Sequence, residues 1–90
     1  MNHPEKIEGF DSLQELAAEV ENLRYDKLGE FLSSLSDALV SRAESDRKSG
    51  RTRLAVHLCY AGWRIRQAAS QVADAWEICE PHMKNEKTHT

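Results

Sequence analysis

The stretch TRLAVHLCYAGWRIRQAASQVADAWEIC, residues 52–79, decides the fold. Within it Leu54, Leu58, Ala61, Ile65, Ala68, Val72 and Ala75 recur at alternating steps of four and three, and the next step of four lands on Cys79. That is a heptad seam, the period with which one helix presents a continuous apolar stripe to another. Beside the seam run Ala55, Gly62, Ala69 and Trp76; three of the four are small, which permits close approach of a neighbouring helix. Glu80-Pro81 is expected to stop the helix, because proline lacks the donor and disfavours helix in the residue before it. The spacing therefore predicts a helix over 52–80, about 43 Å long at 1.5 Å per residue.

Upstream of it lies a turn. Ala43 to Gly50 places Arg47 and Lys48 in a last helical turn, where cations suit the negative end of the helix dipole, and Gly50 suits the left-handed residue beyond it. Ser49 or Thr52 is expected to cap the following helix. Further back, Leu28, Phe31, Leu32, Leu35, Ala38 and Leu39 form a second stripe, predicting a helix over 26–48. Ser36 flanks this stripe and is small enough to let another helix come close. Earlier still, Ser12 with Glu15 makes a capping box, and Leu13, Leu16, Ala17, Val20 and Leu23 give a first helix over 12–24. The two early stripes are offset, since Leu23 to Leu28 is a step of five. Asp26 is a candidate cap there, and residues 12–48 read equally as two helices or one kinked helix. Residues 1–11 read as a flexible arm and 81–90 as a flexible tail.

A short turn between two long helices makes them antiparallel neighbours. The fold class is all-α: an antiparallel helical hairpin or three-helix bundle, with pairing into a dimeric helical bundle expected. With 90 residues the chain is one domain with little core to spare.

Charge is distributed unevenly. Residues 1–46 hold eleven acids and four bases; residues 47–90 hold four acids and eight bases, for a net charge of −3. Packing of the basic half against the acidic half accounts for this most simply. Arg66, near the apolar flank, is expected to lie along apolar surface or to pair with an acid of the second helix. The basic turn Arg47, Lys48, Arg51 and Arg53 raises nucleic acid as the alternative function, because clustered bases neutralise phosphates. Against it stand the negative net charge and the absence of any helix-turn-helix or zinc-finger pattern.

The departure from simple amphipathicity is a second stripe on the third helix, Val56, Tyr60 and Trp63, with Arg53, His57 and Arg64 beside it. Tryptophan, tyrosine and arginine are the types that carry most binding energy at protein interfaces. Either the chain's own helices cover this stripe, or it is a contact surface for another chain. The second reading is preferred, with homodimerisation the commonest way to satisfy it.

Other chemistry finds little support. His57 and Cys59 project to nearly opposite sides of a helix, and Cys79 with His82 flanks Pro81, so no metal is expected and both cysteines read as small hydrophobes. Glu30, Asp37 and Asp74 are isolated acids on presumed solvent faces, and there is no phosphate loop or nucleophile elbow, so no enzymatic activity and no cofactor are expected. Cys59 and Cys79, some 30 Å apart along one helix, cannot bridge. The start has no basic region followed by an apolar core, and no apolar run reaches the ~20 residues of a membrane span. A cytoplasmic protein–protein interaction module is expected: an adaptor, regulator or inhibitor of another protein.

Overall fold

Small side chains decide how the two long helices meet. The computed structural model describes residues 3–89, in which α1 spans Leu13–Glu21, α2 spans Tyr25–Lys48 and α3 spans Thr52–His89, with no strand among the described residues. Only α2 and α3 pack extensively, as an antiparallel hairpin. Their contact line is Gly29, Ser36 and Ala43 on one helix and Ala69, Gly62 and Ala55 on the other, all buried. Each set steps by seven. Gly29 lies against the Ala69 carbonyl, Ser36 against Gly62, and Ala43 shares a groove with Ala55.

At the centre of this line the Ser36 hydroxyl, 0% exposed, donates to the Gly62 carbonyl at 2.6 Å. That bond satisfies a buried hydroxyl, which would otherwise cost about 1–3 kcal/mol. A Cβ at Gly62 would stand 2.9 Å from Val40 Cγ2 and 3.1 Å from the Ser36 carbonyl oxygen, so only glycine fits this approach. The seam Leu54, Leu58, Ala61, Ile65 is thus not the centre of the interface, as its period suggests. The smaller flank takes that place, because it brings the backbones close enough for a hydroxyl-to-carbonyl bond, and the leucines stand to one side.

The turn is built from the predicted residues with different roles. Gly50 adopts φ +86. Its N–H bonds the Arg47 carbonyl at 3.0 Å, and the Arg51 N–H reaches the Asp46 carbonyl at 2.8 Å, the paired pattern that closes a helix C-terminus. Ser49 is the C-cap of α2 and Thr52 is already helical, so neither caps α3. Instead the Arg51 carbonyl accepts from the Ala55 N–H at 3.0 Å. Asp46, 3% exposed, accepts from Arg51 Nε at 3.0 Å and Nη2 at 2.9 Å, tying the turn to the end of α2.

Between α1 and α2 the chain breaks. The Asn22 N–H bonds back to the Ala18 carbonyl and the Leu23 N–H to the Val20 carbonyl, and Arg24 is extended (φ −55, ψ 142), so residues 12–48 form two helices. The step of five from Leu23 to Leu28 is this break. Asp26 lies inside the first turn of α2 rather than at its cap, accepting from the Lys27 N–H at 2.9 Å. At the start of α1, Ser12 Oγ accepts from the Glu15 N–H at 3.1 Å, while the Glu15 carboxylate accepts from the Asp11 N–H at 3.0 Å, one residue before the reciprocal bond of a capping box.

Pro81 does not stop α3, which continues to His89 through the segment read as a tail. Proline removes one helical donor, at a cost of about 3 kcal/mol in a helix interior, but its own φ of about −65° is helical.

Candidate functional site

At about 100° per residue, the α2–α3 contact line divides the hairpin into two flanks. One carries Leu28, Leu32, Leu35 and Leu39 from α2. Leu54, Leu58, Ile65 and Val72 of α3 continue it. None is buried: Leu35 is 38% exposed and Leu54 47% exposed, with the others from half-buried to partly exposed. Within these spans the flank has no Asp, Glu, Lys or Arg; its charged residues, Arg42, Asp46 and Arg51, gather at the turn end beside Leu39, Leu54 and Leu58.

The opposite flank is narrower. Val40, Ala43, Val56, Cys59 and Tyr60 line a shallow groove of about 480 Å³ that is edged by Glu44 and Arg47. Further along, Arg66 pairs with Asp37 of α2, as its position beside the apolar flank leads one to expect.

The predicted partner-binding residues are exposed on α3, with Val56 and Tyr60 on the rim of the groove shared with α2. Tyr60 is 59% exposed and Trp63 55% exposed; Val56, Arg53, His57 and Arg64 are exposed with them. No helix of this chain covers the stripe, so Val56, Tyr60 and Trp63 form a continuous aromatic and aliphatic surface with bases on its borders.

The basic turn is only partly a cationic patch. Arg47 pairs with Glu44, and Arg51 is held by Asp46. Lys48 and Arg53 are exposed. Sequence reading treated the four as equivalent; an acid on the preceding turn separates two of them from the rest.

At the far end of the hairpin, the Arg24 guanidinium stacks 5.3 Å from the Trp76 ring centroid and also binds Asp26 at 2.6 and 2.8 Å. These hydrogen bonds hold the Asp26 carboxyl below the ordinary carboxylate range, with partial burial opposing them. Arg24 thereby fixes the entry to α2 against α3. Beside it a shallow cleft of about 590 Å³ is lined by Asp26, Glu30, Ser33, Ser34, Arg66 and Trp76.

Cys59 is exposed and Cys79 half-buried, and both are free thiols. Among the described residues no cluster of His, Cys, Asp and Glu has the makings of a metal site. No helix among them is long and apolar enough to cross a membrane. Glu30 and Asp37 are exposed acids, Glu30 paired with Lys27 and Asp37 with Arg66.

The leucine flank is the feature sequence reading missed. Those leucines read as the interior of the hairpin, whereas the small residues occupy that interior. The available signal was Gly29, Ser36 and Ala43, spaced by seven like Ala55, Gly62 and Ala69. No protein-family model matches the chain, and neither a curated protein nor a solved structure matches it.

Proposed function

We propose that this chain is a cytoplasmic, non-catalytic protein–protein interaction module, an adaptor, regulator or inhibitor, that works as a homodimer and binds a second protein through the α3 surface around Tyr60 and Trp63. One observation carries the reading. Among the described residues the buried apolar side chains are three alanines, Ala43, Ala55 and Ala69, while leucine, valine, tyrosine and tryptophan stay exposed along the hairpin. Folded chains of this size normally place such residues inside, and large contiguous exposed apolar surfaces mark sites of association. Tyr60 and Trp63 are rigid, with bases beside them, which suits an acidic or amphipathic protein segment. The two free thiols fit a reducing compartment.

The nucleic-acid alternative has less charge to draw on than the sequence implies, because Glu44 and Asp46 oppose two of the turn's arginines. Comparing what immobilised wild-type protein and a Tyr60→Ala/Trp63→Ala variant retain tests the reading. A defined protein held by the wild type and lost by the variant, at unchanged helicity, is the expected result. Identical retention by both, or salt-sensitive binding to polynucleotide abolished by Lys48→Ala/Arg53→Ala, contradicts it.

A further inference from the structure

We infer that the occupant of the Tyr60–Trp63 surface is an amphipathic helix with acids along one flank of its apolar stripe, lying lengthwise in the groove between α2 and α3 with those acids against Arg53 and Arg64. This rests on the interaction-module reading and deepens it by giving the partner's chemistry and its orientation.

The arginines of this chain divide into two sets. Arg24 holds Asp26, Arg47 holds Glu44, Arg51 holds Asp46 and Arg66 holds Asp37; Arg42 is engaged as well. Arg53 and Arg64 are exposed and hold no carboxylate among the described residues. They are also the two arginines that border Val56, Tyr60 and Trp63. Their own helix supplies no acid nearby, since none lies between Arg47 and Ala73. The chain thus leaves two guanidinium groups unpaired beside its most exposed aromatic side chains.

Their placement is regular. Arg53 and Arg64 fall within about 20° of each other around α3 and about 16 Å apart along it, with His57 on the same side between them. Val56, Tyr60 and Trp63, at steps of four and three, make the adjacent row. Beyond that row Val40, Ala43 and Cys59 floor the groove. Cations, aromatic side chains and apolar groove therefore run side by side for about three helical turns. An amphipathic helix carries the complementary order, apolar anchors at i, i+3 or i+4 and i+7 with charge on the flank. On the α2 rim, Glu44 and Asp37 are already neutralised by Arg47 and Arg66. Acids on the partner are therefore called for on the α3 side alone.

A second copy meeting this surface across a two-fold axis would bring Arg53 and Arg64 of both chains together. Like charges set against each other in an interface are costly. A flat anionic bilayer would meet the cations and leave the groove between the helices unfilled.

Two fluorescent peptides with the same leucine stripe at helical spacing, one flanked by glutamates and the other by lysines at the same positions, test this by anisotropy titration with the full chain. Wild type is expected to bind the glutamate peptide at least about tenfold more tightly than the lysine peptide, with the preference shrinking in high salt. Arg53→Gln/Arg64→Gln is expected to bring the two affinities within about twofold of each other at unchanged helicity, because neither arginine holds another part of the fold. Tyr60→Ala/Trp63→Ala is expected to weaken both peptides by at least about tenfold while the preference for glutamate survives. Equal wild-type affinities, both weakened by the aromatic substitutions, overturn the acidic helix and leave the interaction-module reading standing. A glutamate preference untouched by Arg53→Gln/Arg64→Gln also overturns it, as does binding of neither peptide. Binding indifferent to the aromatic substitutions overturns the reading of the surface as well. Displacement of the glutamate peptide by phosphatidylserine vesicles assigns the surface to a membrane, and loss of peptide binding on self-association assigns it to a second copy; either result overturns the inference.

Discussion

Replacing Gly62 with alanine is expected to destabilise the protein, and replacing Gly29 with alanine to stabilise it, although both glycines are helical and buried on the same contact line. In a free helix each change gains about 1 kcal/mol, because glycine loses more backbone entropy on folding. At Gly62 the new Cβ would stand 2.9 Å from Val40 Cγ2, 3.1 Å from the Ser36 carbonyl oxygen and 3.6 Å from Leu39 Cβ. Valine is stiff about χ1 in a helix and the carbonyl is backbone, so α2 and α3 must separate by a few tenths of an ångström. Overpacking of this kind costs about 1–3 kcal/mol. The separation also stretches the 2.6 Å Ser36–Gly62 bond, at a cost approaching the ~1 kcal/mol of a typical hydrogen bond. The net loss is about 1–2 kcal/mol, or a melting temperature lower by roughly 5–15 °C for a domain of this size. At Gly29 the nearest atoms are the Ala69 carbonyl oxygen at 3.7 Å and Val72 Cγ1 at 4.0 Å, ordinary contact distances. The helical gain survives there, about 0.5–1 kcal/mol. Thermal melts followed by circular dichroism, at equal protomer concentration because dimer melts depend on it, measure both. Shifts of the same sign, or a Gly62→Ala protein at least as stable as wild type, refute the close-packed contact line.

Other outcomes follow from single contacts. Ser36→Ala is expected to lower stability by about 1 kcal/mol in urea titration, by losing the bond to the Gly62 carbonyl while leaving the close approach intact. Asp46→Ala removes both bonds to the Arg51 guanidinium and is expected to cost about 1 kcal/mol, a modest figure because Arg51 is itself half exposed; a shift in urea midpoint reports it. The Asp26 carboxyl, held below the ordinary range by Arg24, stabilises the folded chain above its unfolded pKa, and this is lost as pH falls through the depressed folded value. Arg24→Gln is expected to move the Asp26 titration, followed by NMR of its carboxyl carbon, back up towards the ordinary range.

Much of the architecture was legible in the residues. Helical periodicity, Gly50 in a left-handed turn and the Ser12 cap are local signals, and each acts within a few residues of where it stands. The position of the contact line was less so. Residues 54–79 carry two adjacent stripes, one leucine-rich and one small, and a heptad period alone does not say which turns inward. What decides is a long-range bond, Ser36 to Gly62, whose donor and acceptor lie on different helices. The small residues Ser36 and Gly62 point towards close approach, but the complementary run Gly29, Ser36, Ala43 is needed to place it. The break at Asn22–Arg24 and the continuation of α3 past Pro81 likewise depend on a balance of local costs that spacing does not resolve. Of the candidate site, the exposed setting of Tyr60 and Trp63 agrees with their departure from an amphipathic pattern. The leucine flank was hidden, because a leucine beside a seam looks the same in sequence whether its own chain or another covers it.

The most direct test of the account is an isotope-filtered NMR experiment on an equimolar mixture of labelled and unlabelled protein, which detects only contacts between copies. Intermolecular contacts between apolar side chains of the two copies are the predicted result. An absence of intermolecular contacts would contradict it.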